Sequence, residues 1–177
     1  AKQNNTKIKL VLRYEAGPPS KNDIKNEFTL LQALANTNIP SAEPLFIDTS
    51  CKILDRPFML LSFLEGDINI TNADNLDLNT KMIDQLKCIH SIDLAQLPDL
   101  PIQIDPMKGL LEYLPKADEW MELRNYLSSL KNTAFEGQRV FLHGDFWPGN
   151  ILWVKDQIVA VIDWDYAAIG DPLSDLA

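Results

Sequence analysis

Apolar positions in the last forty or so residues fall into three short runs, at 140–142, 151–154 and 158–162. Runs of this length bounded by turn residues predict buried strands. The polar trio Lys155, Asp156 and Gln157 separates the second run from the third and makes them a hairpin; Pro148-Gly149 marks a turn just before it. Residues 143–150 are therefore a loop that leaves one strand and enters another, and Asp163 stands at the end of the hairpin's second strand.

Upstream, residues 9–13 alternate as a strand does, and 16–19 read as a turn. A helix is expected from Ser20, with Ile24, Phe28, Leu31 and Ala35 at helical spacing. Residues 57–64 are almost wholly apolar and end in Glu65-Gly66-Asp67. Residues 67–79 are a polar loop rich in Asn and Asp. Residues 78–93 read as a helix with Met82, Ile83, Leu86 and Ile89 on one face. Residues 97–106 are Pro-rich and irregular, and 118–131 form a further helix carrying Trp120, Leu123, Leu127 and Leu130.

Composition sets outer bounds. A chain of 177 residues makes one ordinary domain or two small lobes, and 46% hydrophobic content is too high for disorder. No run of eighteen apolar residues indicates a membrane span, and the polar N-terminus shows no signal peptide. Cys51 and Cys88 are isolated thiols without metal-ligand spacing, as free cysteines in a cytoplasmic protein are. The net charge of −9 argues against a nucleic-acid partner and suits a cationic small molecule.

The chemistry concentrates in the loop and its hairpin. His143, Asp145 and Asn150 cluster there, and Asp163 follows behind the second apolar run. Phosphoryl transfer needs such a set: one carboxylate takes the proton of an attacking hydroxyl, while an amide and a second carboxylate hold metal ions on the nucleotide phosphates. Mg²⁺ keeps much of its coordination for water and phosphate, so one amide oxygen and one carboxylate suffice.

These residues resemble the aminoglycoside phosphotransferase and choline kinase-like family, which shares the protein-kinase fold. Its H-G-D-x-x-x-x-N loop is met by His143, Gly144, Asp145 and Asn150. Its metal segment is met by Ile162-Asp163-Trp164-Asp165, and its G-D-P-x-x-D-L-A sequel by residues 170–177. The resemblance implies ATP and Mg²⁺ as cofactors. Asp145 would be the general base, Asn150 and Asp163 the Mg²⁺ ligands, and His143 a brace for the loop. Asp171 and Asp175 would hold that loop by hydrogen bonds. Residues 10–13 look like the family's V-L-R strand, with Arg13 where many relatives carry the phosphate-binding lysine. Glu27 matches the helix glutamate that pairs with the strand cation. Residues 57–64 correspond to the strand and hinge between lobes, putting Leu61, Ser62, Phe63 and Leu64 at the adenine.

The implied fold class is α+β, a two-lobed protein-kinase-like fold incomplete at both ends. Residues 1–64 would supply part of a sheet lobe with one helix and the hinge, and residues 65–177 a helical lobe with catalytic loop and metal hairpin. The family opens with a strand-turn-strand over the ATP phosphates. Nothing before Arg13 reads that way, since residues 1–7 are polar and lack glycine. The chain is expected to be a fragment, with a natural shortened relative as the alternative, and to bind nucleotide weakly and turn over poorly.

Around the site, Trp147, Trp153 and Trp164 read as packing residues, with Trp147 also placed to touch an acceptor. His90 reads as a core or capping residue near a helix end. Asp165 would bind metal or an amine, or bond nearby backbone. The expected activity is transfer of the γ-phosphate to a hydroxyl of a small, aminoglycoside-like molecule. The alternatives are a kinase of choline, homoserine or a fructosamine-like metabolite, or a non-catalytic pseudokinase-like nucleotide-binding module. A protein kinase is disfavoured, because the loop reads HGD and not HRD and no DFG segment follows.

Overall fold

The apolar run at 57–64 becomes the central strand of a three-stranded antiparallel sheet. A computed structural model describes residues 2–3, 6–14, 23–68, 76–103, 111, 114–130 and 135–176. Two short strands, β1 (Lys2–Gln3) and β2 (Thr6–Lys7), pair antiparallel ahead of β3 (Leu10–Tyr14). This is a pair of strands where none is expected. Strands of two polar residues leave no alternation to read.

Helix α1 (Ile24–Leu34) follows, then β4 (Pro44–Asp48) and β5 (Phe58–Ser62), in sheet order β3-β5-β4. β5 is flanked on both sides, which is why it is apolar nearly throughout. Pro44 is tolerated as the first residue of an edge strand, next to a register shift. Asp23, not Ser20, caps α1: its side chain accepts from Asn26 N at 2.8 Å. Ser20 and the 16–19 turn lie outside the described residues. Ile24, Glu27, Leu30, Leu31 and Leu34 make the buried face of α1, whereas Ala35 is an exposed cap residue. A carboxylate on this apolar stripe is the anomaly that draws attention to Glu27.

Among the described residues, the remainder holds α2 (Leu76–His90), a 3₁₀ turn at Asp118–Trp120 leading into α3 (Met121–Leu130), and four strands. β6 (Val140–Leu142) pairs with β9 (Ala168–Gly170), and β7 (Ile151–Val154) with β8 (Gln157–Val161). Lys155 and Asp156 form the hairpin turn with φ of 48° and 60°. Two consecutive positive φ values are what a tight hairpin turn matching the strand twist requires.

One core joins the two parts. Leu30, Leu31, Leu34, Met59 and Leu61 pack with Ile89, Phe141, Val161, Trp164 and Ala167. Val161 N also donates to Pro40 O at 2.8 Å, tying the end of β8 to the segment between α1 and β4. The end of β8, and Asp163 just beyond it, are thereby fixed beside the three-stranded sheet.

Candidate active site

The loop between β6 and β7 is built around His143, which is fully buried. Its Nδ1 accepts from Asp145 N at 3.2 Å and its Nε2 lies 3.0 Å from Ile162 O. An acceptor at one nitrogen and a donor at the other define the neutral imidazole. Burial pushes its pKa below the ordinary value, against the raising effect of the Ile162 carbonyl, which agrees with that state. Trp164 packs at 4.5 Å between ring centroids and Phe146 lies edge-on at 5.9 Å. His143 thus links the β6–β7 loop to the residue before Asp163.

Asp175 closes the loop from below. Its carboxylate accepts from His143 N at 3.0 Å and Gly144 N at 2.7 Å, and meets His90 Nε2 at 2.9 Å. Asp171 does not share this task. It caps its own 3₁₀ turn, accepting from Leu173 N at 3.0 Å, because it stands immediately before Pro172. His90, the last residue of α2, touches the loop through Asp175, a link with no local signal in sequence. Gly144 is likewise required: its φ is +84°, and a Cβ there would meet Tyr166 O at 2.2 Å.

Asn150 ends the loop in a 3₁₀ turn entered by Pro148. Its Nδ2 donates to both Asp145 O and Asp145 Oδ2 at 2.8 Å. That turns its carboxamide oxygen, the atom a hard cation binds, away from Asp145. Asn150 and Asp163 line one cleft of about 560 Å³ together with Arg13, Glu27 and Leu61 to Leu64. Asp163 holds φ of 65°, a left-handed conformation that a non-glycine residue adopts at a cost of order 1–3 kcal/mol. Among the described residues no three His, Cys, Asp or Glu side chains converge as a metal cluster. An oxygen pair such as Asn150 and Asp163 fits Mg²⁺, which takes its other ligands from phosphate and water.

Arg13, on β3, reaches across the cleft. Its Nε donates to Glu27 Oε2 at 2.7 Å, its Nη2 to Asp163 Oδ1 at 3.1 Å, and the same nitrogen to Asp165 Oδ1. Burial pulls its pKa down, but Glu27 and Asp165 more than offset that, so it stays a cation. Burial pushes Glu27 up to about 7 despite Arg13, since one guanidinium is divided among three carboxylates. Asp165 therefore bonds Arg13, a partner far away in sequence.

Leu61, Ser62, Phe63 and Leu64 all line the cleft, with Ala42 and Leu152 adding apolar wall. Ser62 N donates to Glu43 O at 2.9 Å, and Ser62 Oγ accepts from Glu43 N at 2.8 Å. Trp153 and Trp164 are buried, but Trp147 is 55% exposed. It is no packing residue of the core: His143 and Phe146 already fill the inner side of the loop, leaving its outer side to Trp147.

Comparison with known proteins gives these features a context. A sequence model of the Phosphotransferase enzyme family, APH, matches residues 2–177. Acyl-CoA dehydrogenase family member 10 of Mus musculus is 27% identical over 182 residues, covering 90% of this chain and 17% of that protein. Acyl-CoA dehydrogenase family member 11 of Homo sapiens is 24% identical over 178 residues, covering 90% of this chain and 23% of that protein. The chain thus spans less than a quarter of these relatives.

Among solved structures, a mutant aminoglycoside 2'-phosphotransferase-IIIa in complex with GDP superposes with a TM-score of 0.70 at 19% identity, covering 94% of this chain and 63% of that one. A thermostable mutant of aminoglycoside phosphotransferase APH(4)-Ia, in ternary complex with ADP and hygromycin B, gives 0.64 at 20% identity, covering 94% and 62%. These likenesses show the fold: α+β and protein-kinase-like.

Proposed function

Because the chain belongs to the phosphotransferase enzyme family, we propose that it is an ATP- and Mg²⁺-dependent kinase that moves the γ-phosphate to a hydroxyl of a small molecule. The observation that carries this reading is the coupling of Asp145 to Asn150 at 2.8 Å, with Asn150 and Asp163 on the same cleft as Arg13. Asp145 is the group that orients the acceptor hydroxyl and takes its proton. Asn150 fixes that carboxylate through its amide hydrogens and offers its oxygen to the cleft. Arg13 supplies charge-assisted hydrogen bonds to phosphate. Asn150 and Asp163 hold Mg²⁺, which when bound offsets the charge on the transferring phosphate.

The adenine falls to the segment after β5. Ser62 N is already bonded to Glu43, so the hinge backbone that pairs with the base is that of Phe63 and Leu64. A positively charged, aminoglycoside-like acceptor suits the net charge of −9. The curated relatives are named for acyl-CoA; because a kinase needs a hydroxyl to receive phosphate, an acyl-CoA that carries one is a second acceptor class to screen. The exposed free thiols Cys51 and Cys88 support a reducing compartment such as the cytoplasm, and no helix among the described residues is long and apolar enough to cross a membrane.

A non-catalytic nucleotide-binding module is the second reading, supported by Arg13 where many relatives carry lysine and by its bond to Asp163. Calorimetry of Mg²⁺-ATP binding to the chain and to Asp163→Ala, followed by γ-phosphate transfer to aminoglycosides and hydroxylated acyl-CoA thioesters, tests both. Metal-dependent binding lost in Asp163→Ala, with transfer to a hydroxyl, is the expected result. Binding without transfer to any acceptor favours the module, and no binding by the unsubstituted chain refutes the kinase reading.

A further inference from the structure

Arg13 is not a simple replacement for a lysine. Its planar fork is divided edge by edge. Nε is held by Glu27 from α1, and Nη2 by Asp163 and Asp165 from the segment after β8. No described residue takes Nη1. The side chain is 30% exposed and lines the cleft, so the remaining N–H groups are available to an anion there. An ammonium carries its donors on one atom and cannot meet carboxylates on two sides while keeping a nitrogen for a ligand.

The three carboxylates are not equivalent. Glu27 fixes only the Nε edge. Asp163 is the carboxylate assigned to the metal, and a cation there competes with Arg13 for its oxygens. Asp165 alone can anchor the Nη2 edge in both states.

We propose that Asp165 is a positioning residue that holds the Arg13 guanidinium across the cleft, so that Nη1 serves as a ligand for a nucleotide phosphate while Asp163 serves the metal. The proposal rests on the phosphotransferase reading above. It gives Asp165 a role that neither metal nor acceptor binding requires, and it explains how an arginine works at this position.

The test is Mg²⁺-ATP calorimetry on the purified chain, on Asp165→Asn and Asp165→Glu, and on the same substitution in an Arg13→Lys background. Asp165→Asn is expected to weaken binding about tenfold, the loss of one hydrogen bond between charged groups. Asp165→Glu, which keeps the charge, should recover most of that. In the Arg13→Lys background Asp165→Asn should change affinity by less than about twofold, since the two residues act as a pair. With a working acceptor, KM for ATP should rise while kcat at saturating ATP holds. An equal loss in both backgrounds, or no loss in the unsubstituted background, overturns the role of Asp165 and leaves nucleotide binding standing. Failure of the unsubstituted chain to bind Mg²⁺-ATP overturns the phosphotransferase reading, and this proposal with it.

Discussion

Replacing Asp175 by alanine tests how the loop between β6 and β7 is held. The side chain is fully buried and receives three donors: His143 N, Gly144 N and His90 Nε2, at 3.0, 2.7 and 2.9 Å. Alanine leaves two backbone N–H groups of the loop without an acceptor. Each unsatisfied buried donor costs about 1–3 kcal/mol. Cooperation through one carboxylate makes the three bonds non-additive, so the expected loss is about 3–4 kcal/mol, in line with breaking a buried pair. For a protein of this size each kcal/mol lowers Tm by roughly 2–4 °C, so a fall of roughly 6–16 °C is expected by scanning calorimetry. Urea denaturation should report the same free energy from the midpoint. Asparagine at this position keeps an acceptor for Gly144 but turns an N–H toward His143 N, so it should recover only the Gly144 bond. A Tm for Asp175→Ala within about 2 °C of the parent would show that solvent satisfies the loop as well as the carboxylate does, and the reasoning would be wrong.

Other expectations can be checked alongside. Asp145→Asn should lower kcat by about 10²–10⁴-fold while the calorimetric Kd for Mg²⁺-ATP stays put; a weakened Kd would make Asp145 a binding residue. Gly144→Ala should destabilise by about 1–3 kcal/mol in urea, because a Cβ 2.2 Å from Tyr166 O and φ of +84° both oppose it; an unchanged midpoint contradicts this. Burial lowers the pKa of His143 from 6.5, so the unfolded chain takes up its proton first. The His143 contribution to stability is therefore full above about pH 6.5 and is lost as pH falls below it. Glu27, raised from 4.5 to about 7, runs the opposite way across that window, so the comparison to make is urea midpoints against His143→Gln, whose loss on acidification should be smaller. Removing Mg²⁺ with a chelator should weaken ATP binding sharply in calorimetry; equal affinity with and without metal would count against the assignment of Asn150 and Asp163.

The parts legible in sequence are those where chemistry or burial restricts residue type locally. The strands β6, β7 and β8 show as apolar runs, and the loop between the first two carries a cluster of polar residues that packing alone does not call for. Long-range pairings are different. Arg13 and Asp165 are 152 residues apart, and His90 and Asp175 are 85 apart. Nothing in the neighbourhood of either member names the other. The start of α1 is displaced from Ser20 for another reason: Ser20 and Asp23 are both capping types, and Asp23 is the cap because Ile24, immediately after it, opens the buried face. Trp147 misleads because aromatic residues usually fill cores, whereas this one lies on the outer side of a loop whose inner side is already occupied.

The charge arrangement explains why these pieces belong together. Among the described residues of the cleft one guanidinium faces Glu27, Asp163 and Asp165, an excess of acid over base in a partly desolvated place. Such an arrangement is poorly suited to stability for its own sake, since carboxylates gathered around one cation repel each other, and burial raises the pKa of Glu27 even with Arg13 beside it. It is well suited to a ligand that brings positive charge at one point and negative charge at another. A metal–nucleotide pair would do this, with its cation at Asp163 and Asn150 and its phosphate oxygens at Arg13. A free triphosphate meets the aspartates as repulsion, and a free organic cation gains nothing from Arg13. The left-handed backbone at Asp163, the Asn150 amide committed to Asp145 and the hold of Asp165 on Arg13 all fix groups that such a dual ligand would need fixed before it arrives.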